Sequence, residues 1–464
     1  MSQRKKTAGF IAILLLFAFI TPIFISGFIN VKNAERANHE GDYKTASDFY
    51  AQAAKIFFWQ NDLWEQAGIA SAQVGDYPKA IFYFQKVNQF SEQGWAWLGT
   101  SYFQTGEIEK AISTFEMGVQ EFQSATLYRL LASAYRTQKN WEAEKNALES
   151  QIQLDFQDAY AHYRLGVLLM IFYPNEAFDK LNRASTLNVE VDSATETLVT
   201  ALSIADTQNN QSDKYVTIGR ALGLVQEWDL ALFAFEKAIE SNNQNAEAWA
   251  WLGEAKQQLG QDGSADLDKA LSLNLKSATV RGLRALYWGR QSNYARALIE
   301  YSLANQIEPT NPAWLAGMGE AHAKLGDLIA ALEAYQHAIE FAPDDPIYWR
   351  LLAMFCADNN FYIEEIGLPA AEQAVSLSPN DATNLDALGY VYFLSGRYSN
   401  AEITLLQAIE FSPQYFPAHL HLALTYLAQG NRPAAYNALT YVRDADVSGV
   451  YRPFAQQLLN QYFP

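Results

Sequence analysis

Apolar residues recur three and four positions apart along most of the chain, in short stretches separated by polar turns, and this is the period of amphipathic helices. In residues 383–413, Leu385, Leu388, Gly389 and Tyr392 form one stripe, Ser395, Gly396 and Arg397 interrupt it, and Ala401, Leu405 and Ala408 form a second. That pattern predicts two helices joined by a tight turn, the glycine supplying backbone freedom and the following proline ending the second helix. Pro309, Pro343, Pro379 and Pro413 stand 34, 36 and 34 residues apart, so the pair of helices is itself repeated. Two segments break the alternation. Residues 191–206 predict a single extra helix that Asp192 and Ser193 can cap, followed by a polar run from Thr207 to Ser212. Phe10 to Ile29 is an almost unbroken run of Phe, Ile, Leu and Ala, long enough at ~1.5 Å per residue to cross a bilayer core of roughly 30 Å.

The best copies of the repeat carry a specific motif. Residues 95–102 read WAWLGTSY, placing Trp95, Leu98, Gly99 and Tyr102, and Gly106, Ala111 and Phe115 follow. Residues 249–253 read WAWLG, and 314–343 supply Gly319, Gly326, Ala331, Tyr335, Ala338 and Pro343. This pattern resembles the tetratricopeptide repeat, W-x2-L-G-x2-Y followed by A-x3-F and P. The resemblance implies an all-α fold, a tetratricopeptide-repeat α-solenoid in which helix pairs stack into a right-handed superhelix.

Stepping the frame along the chain gives about twelve units, the first partial, with Gly41, Asp42 and Tyr43 at its turn. Three depart from the pattern. The fifth has Tyr173, Pro174 and Asn175 at its turn, the seventh is short after Gly260, and the tenth has extra residues between Asn359 and Gly367. The expected layout is a basic tail (1–6), a transmembrane signal anchor (7–31), an N-terminal array of about five repeats (32–188), the extra helix and polar connector (189–214), a C-terminal array of about seven repeats (215–447) and a capping helix (448–464). The cap covers the open end of the stack.

The charge distribution gives the apolar segment an orientation. No charged residue occurs between Thr7 and Val31, and Arg4, Lys5 and Lys6 precede the run, which predicts a cytoplasmic N-terminus and an extracytoplasmic body. A cleaved signal peptide is the competing reading, but the run exceeds a usual h-region and no Ala-x-Ala site follows it. A cytosolic body is a further alternative. The remaining chain is acidic, with a formal net charge of −18 overall, and lacks the basic clustering that nucleic-acid binding requires. Half the residues are hydrophobic and only 18% charged, which excludes a disordered chain.

Candidate chemistry is sparse, and the sequence predicts no enzyme, no catalytic residues, no metal and no cofactor. The single cysteine, Cys356, cannot form an intrachain disulfide or a thiolate metal cage, and it falls among Leu351, Leu352 and Phe355 as a core residue. His419 and His421 are two apart, whereas metal-binding pairs on helices are spaced i, i+4. Gly317-Met318-Gly319 lies inside a helical copy and lacks the third glycine of a phosphate loop.

What remains is surface. The resemblance implies a concave face lined by the first, or front, helix of each pair, suited to holding a protein or peptide partner. Residues one helical step from the core stripe are Arg129, Ser133, Arg136, Tyr163, Val167, Arg220, Glu254, Arg350, Asp386, Tyr390 and Phe393, with Ala250 beside Glu254. The arginines suit carboxylates of a partner, or equally acidic neighbours in the same array. The predicted function is therefore a membrane-anchored, non-enzymatic scaffold for protein–protein interaction in envelope assembly, secretion or complex formation. A glycan-binding or cell-wall-polymer-binding groove and a non-catalytic subunit that positions a separate enzyme, such as a glycosyltransferase, are the alternatives. A glycan groove requires Tyr163, Tyr390 and Phe393 to face inward with few charges beside them.

Overall fold

The computed structural model describes the backbone of residues 2–188 and 192–464 and the side chains of residues 21–188 and 193–464. The described residues form 26 helices and no strand, arranged as the antiparallel pairs of a tetratricopeptide solenoid. The expected basic tail, most of the expected membrane segment and the start of the connector lie outside the residues whose side chains are described. Among the described residues no helix is long and apolar enough to cross a membrane. The chain divides into two compact units, residues 1–234 and 235–464.

Each pair is built from three sequence devices. Small residues let two backbones approach: a side chain on Gly99 would place its Cβ 2.3 Å from the Phe115 ring, and one on Gly389 would meet Leu405 at 2.5 Å. A buried large side chain from the second helix, such as Phe84, Phe115 or Leu405, fills the resulting space. Short polar residues then cap the helices: Asp76 accepts from the backbone of Lys79, Asp327 from Ala330 and Asn311 from Ala313.

The turn between paired helices needs one residue in the left-handed region, where a Cβ is unfavourable. Glycine occupies it at Gly75, Gly106, Gly326 and Gly396, whereas Lys139, Gln226 and Ser292 adopt it as non-glycine residues with φ of 57°, 64° and 57°. The irregular units follow their sequences. Helix Ala159–Phe172 passes into Pro174–Leu187 through Tyr173 alone, because proline at the first helical position lacks only an N–H that would have no helical partner. In the seventh unit the second helix is the short Ser264–Leu273. The extra residues of the tenth unit form a π-helical turn, Ile363–Gly367, entered through Tyr362 at φ 47°.

In the first unit, helix Ser2–His39 runs without interruption into the solenoid and packs on Tyr43–Ile56. Gly27 lies against Phe57, and the rings of Phe24, Phe28 and Trp59 surround that same phenylalanine at 5.0–5.8 Å. A single helix, Asp192–Thr207, stands between the pair ending at Leu187 and helix Gln211–Leu224. In the second unit the final helix, Arg452–Tyr462, buries Ala455 and Leu459 against Leu439 and Val442 of Arg432–Ala445. Buried Asp446 shapes the intervening turn. It accepts from the Ser448 hydroxyl and from the backbone of Gly449, Tyr451 and Arg452, contacts that hold its carboxyl down at about 2.

Candidate interaction grooves

In the first unit, the front helices Glu92–Gln104 and Ala125–Thr137 enclose a groove of about 720 Å³. Arg129 is exposed in it, facing Glu92, Trp97 and Thr100, and has no carboxylate partner among the described residues. Glu92, which accepts from the Ser124 hydroxyl, lines the same groove, so the groove presents one charge of each sign with neither in an ion pair among the described residues. Ser133 is exposed one turn along the same helix. Arg220 is also exposed, on Gln211–Leu224.

Arg136 has a different role. Its Nη2 donates to both oxygens of Glu227 at 3.2 and 3.0 Å, and its Nη1 to the Tyr160 hydroxyl at 3.2 Å. Arg164, 2% exposed, donates to Glu227 Oε2 at 2.8 Å, an oxygen it shares with Arg136, and grips buried Glu144 with two bonds of 2.6 and 3.1 Å. Glu144, Arg164, Glu227 and Arg136 thus form an alternating ionic chain. The Glu144–Arg164 end of this chain is buried, so neither of those two can be removed without stranding the other, whereas Arg136 at the outer end is 40% exposed. The arginine at 136 is engaged by its own array. Tyr163 is half-buried beside this chain, where burial pushes its hydroxyl up to about 12. Val167 and Ala250 are fully buried, so both pack helix against helix and neither lines a groove.

Several of the remaining named residues in the second unit are likewise engaged by neighbouring helices. Buried Glu254 receives two bonds from Arg290, at 2.7 and 2.6 Å. Arg350 donates to Thr383 and Asn384 at 2.5 and 3.0 Å, joining two front helices. Asp386, 4% exposed, pairs with His421 Nδ1 at 2.7 Å, and the Tyr390 ring stacks on that imidazole at 4.2 Å and on Phe393 at 6.3 Å. These rings therefore lie among charges.

A second groove, of about 520 Å³, is formed mainly by helices Pro312–Leu325 and Pro346–Asp358, with Leu286, Tyr301 and Tyr335 from their neighbours, and the sequence pattern does not mark it as a groove. Its walls carry Glu320, Lys324 and Asp358 together with Tyr301, Tyr335 and Tyr348. Burial pushes the Asp358 carboxyl up, while Lys324 and the imidazole of His421 pull it down. Tyr301 and Tyr335 occupy the position that Phe84, Phe115 and Phe235 take in other units. The hydroxyl in place of hydrogen was the available signal; as members of the repeat they read as core.

The chemical candidates are structural. Cys356 is fully buried, and burial pushes its thiol up to about 12, which keeps it protonated and unreactive. His419 Nε2 lies 2.9 Å from the Pro413 carbonyl, and burial lowers its pKa, leaving it neutral. Among the described residues no cluster of three His, Cys, Asp or Glu is placed to hold a metal ion.

Sequence models of the tetratricopeptide repeat match residues 290–355 and 382–415, and the chain carries these repeats. The curated Superkiller protein 3 of Schizosaccharomyces pombe is 22% identical over 336 residues, covering 69% of this chain and 21% of that protein. The chain thus spans about a fifth of that relative's length. Among solved structures, yeast Tom70 is 14% identical, with 94% of this chain and 95% of that chain covered and a TM-score of 0.45. The APC/C hetero-tetramer Cut9–Hcn1 gives 15% identity, 94% and 96% coverage and a TM-score of 0.42. The repeat fold is one typical of non-catalytic scaffolds.

Proposed function

We propose that the chain is a non-enzymatic scaffold that captures a protein partner along the front helices of its tetratricopeptide repeats, and that its N-terminal helix tethers it to a membrane. The observation that carries the first part is the pair of peptide-scale grooves, of about 720 and 520 Å³, whose walls combine rings with charges unmatched by the array itself. Extended peptides are recognised by such alternation of apolar and charged positions. The charged surroundings of Tyr163 and Tyr390 support this reading over a glycan groove.

The tether rests on the uncharged run from Thr7 to Val31. At its end Ile25, Phe28 and Ile29 are 52–62% exposed, and in the turn after the next helix Phe58 and Trp59 are exposed as well, at 77% and 54%. Large apolar and aromatic side chains gathered at one end of a helix suit the membrane interface. The basic residues before the run favour a body outside the cytoplasm, where a role in envelope assembly, secretion or complex formation would lie.

The test is extraction of the full-length chain in mild detergent, crosslinking, and identification of the co-purifying protein. Arg129→Glu is expected to reduce its recovery about tenfold with helicity unchanged, since a reversed charge repels what the guanidinium held. Recovery of monomer alone, or equal capture by the variant, would contradict the proposal. A reporter fused after Pro464 and active only outside the cytoplasm supports the orientation; activity inside reverses it.

A further inference from the structure

The groove of the second unit contains two polar groups that the fold leaves unanswered. Tyr301 and Tyr335 are each only 6% exposed, yet both hydroxyls reach the groove and neither has a hydrogen-bond partner among the described residues. The rings are buried while the hydroxyl oxygens stay open to the groove, where a bound group can replace water as their partner. Their rings are held by the packing of the repeat, Gly317 making room for Tyr301 and Gly319 for Tyr335 as Gly99 does for Phe115, and the hydroxyl is what these two positions add. Beyond the effect of burial, Glu320 acts electrostatically on both hydroxyls, Asp358 on that of Tyr335, and the Arg290–Glu254 pair on that of Tyr301.

Charge points the same way. Between Tyr301 and Gly430, fifteen Asp and Glu stand against three Lys and Arg. Of those three cations, Arg350 is spent on Thr383 and Asn384 and Arg397 on Glu364, at 3.0 Å. Lys324 shares the groove with Glu320 and Asp358, so one carboxylate there remains uncompensated. Two further basic groups lie nearby and both are engaged: Arg290, which lines an adjoining pocket with Tyr301 and Glu320, by both oxygens of Glu254, and His421 by Asp386.

Building on the scaffold reading, we infer that this groove takes an arginine side chain from an extended segment of the captured protein, its guanidinium set between Glu320, Asp358 and the hydroxyls of Tyr301 and Tyr335. The fork of N–H donors pairs with carboxylates and phenolic oxygens together, and the planar cation stacks on the rings of Tyr348 and Phe355. Lysine offers only a compact point charge and cannot bridge these acceptors as well. The neighbouring backbone carbonyls of the peptide are available to accept from the phenols.

Met354 lines the groove and reports on it. The experiment uses full-length chain in detergent micelles, carrying ¹³C-methyl methionine, titrated with an acetylated and amidated peptide, Ala-Leu-Ala-X-Ala-Leu-Ala. With X as arginine, the Met354 methyl resonance is expected to shift saturably, with affinity about tenfold above that of norleucine or glutamate at X. Glu320→Gln and Tyr335→Phe, each a near-isosteric change, are expected to weaken arginine binding several-fold while the other methionine signals stay in place. Arg129→Glu, in the other unit, is expected to leave it unchanged. An unmoved Met354 signal, equal binding of the arginine and norleucine peptides, equal binding of lysine, or insensitivity to Glu320→Gln would overturn the inference. If the peptide fails while a co-purified partner is still lost on Arg129→Glu, the arginine site is wrong and the scaffold stands.

Discussion

At the scale of single residues, the first unit carries an ionic chain of Glu144, Arg164, Glu227 and Arg136 that is buried at its Glu144–Arg164 end and open to solvent at Arg136. Removing one partner strands the others in low dielectric, which costs about 3–5 kcal/mol, far more than any exposed pair is worth. Arg164→Met is expected to lower stability by about that amount in urea unfolding, and an unchanged midpoint would show the network to be energetically idle. Histidines set a pH dependence. Burial lowers the pKa of His162 and His419, so their stabilising contribution is complete above about pH 6.5 and is lost as pH falls through their lower folded values. Unfolding free energy should therefore drop between pH 7 and pH 5.5, with a shallower slope in the His162→Gln, His419→Gln variant. Arg136 illustrates what residue-level sequence reading can and cannot reach. Its place on the front stripe was legible, but its partner Glu227 lies 91 positions away, and helical spacing carries no information about such a distant pairing. Tyr301 and Tyr335 were hidden for the opposite reason, because they fit the repeat too well.

At the scale of elements, the helix pairs were legible because one rule recurs: apolar stripe, left-handed turn, capped second helix. Departures were legible too, and the Tyr173–Pro174 junction and the insertion before Gly367 became a shared boundary residue and a π-helical turn. What the rule omits is the cost of its exceptions. Ser292 holds the left-handed position at φ 57° where most units place glycine. A Cβ there costs roughly 1–2 kcal/mol, against ~0.5–1 kcal/mol of entropy lost by glycine, so Ser292→Gly should stabilise the second unit by about 0.5–1 kcal/mol. Gly326→Ser, the reverse change, should destabilise it by a similar amount. Thermal unfolding of both variants checks the sign, and parallel shifts would contradict it.

At the scale of the molecule, an acidic chain without an evident chemical centre has an account in which repeated packing supplies rigidity and the front-helix faces supply recognition. The apolar half of its composition is then divided between spaces within helix pairs and the segment proposed to enter a membrane. The measurement that tests the central claim most directly is hydrogen–deuterium exchange of the full-length chain, with and without the protein that co-purifies with it. Capture along the grooves predicts slowed exchange in the front helices Glu92–Gln104, Ala125–Thr137, Pro312–Leu325 and Pro346–Asp358, with their paired second helices little changed. Protection confined to the second helices, or absent from the solenoid altogether, would contradict it.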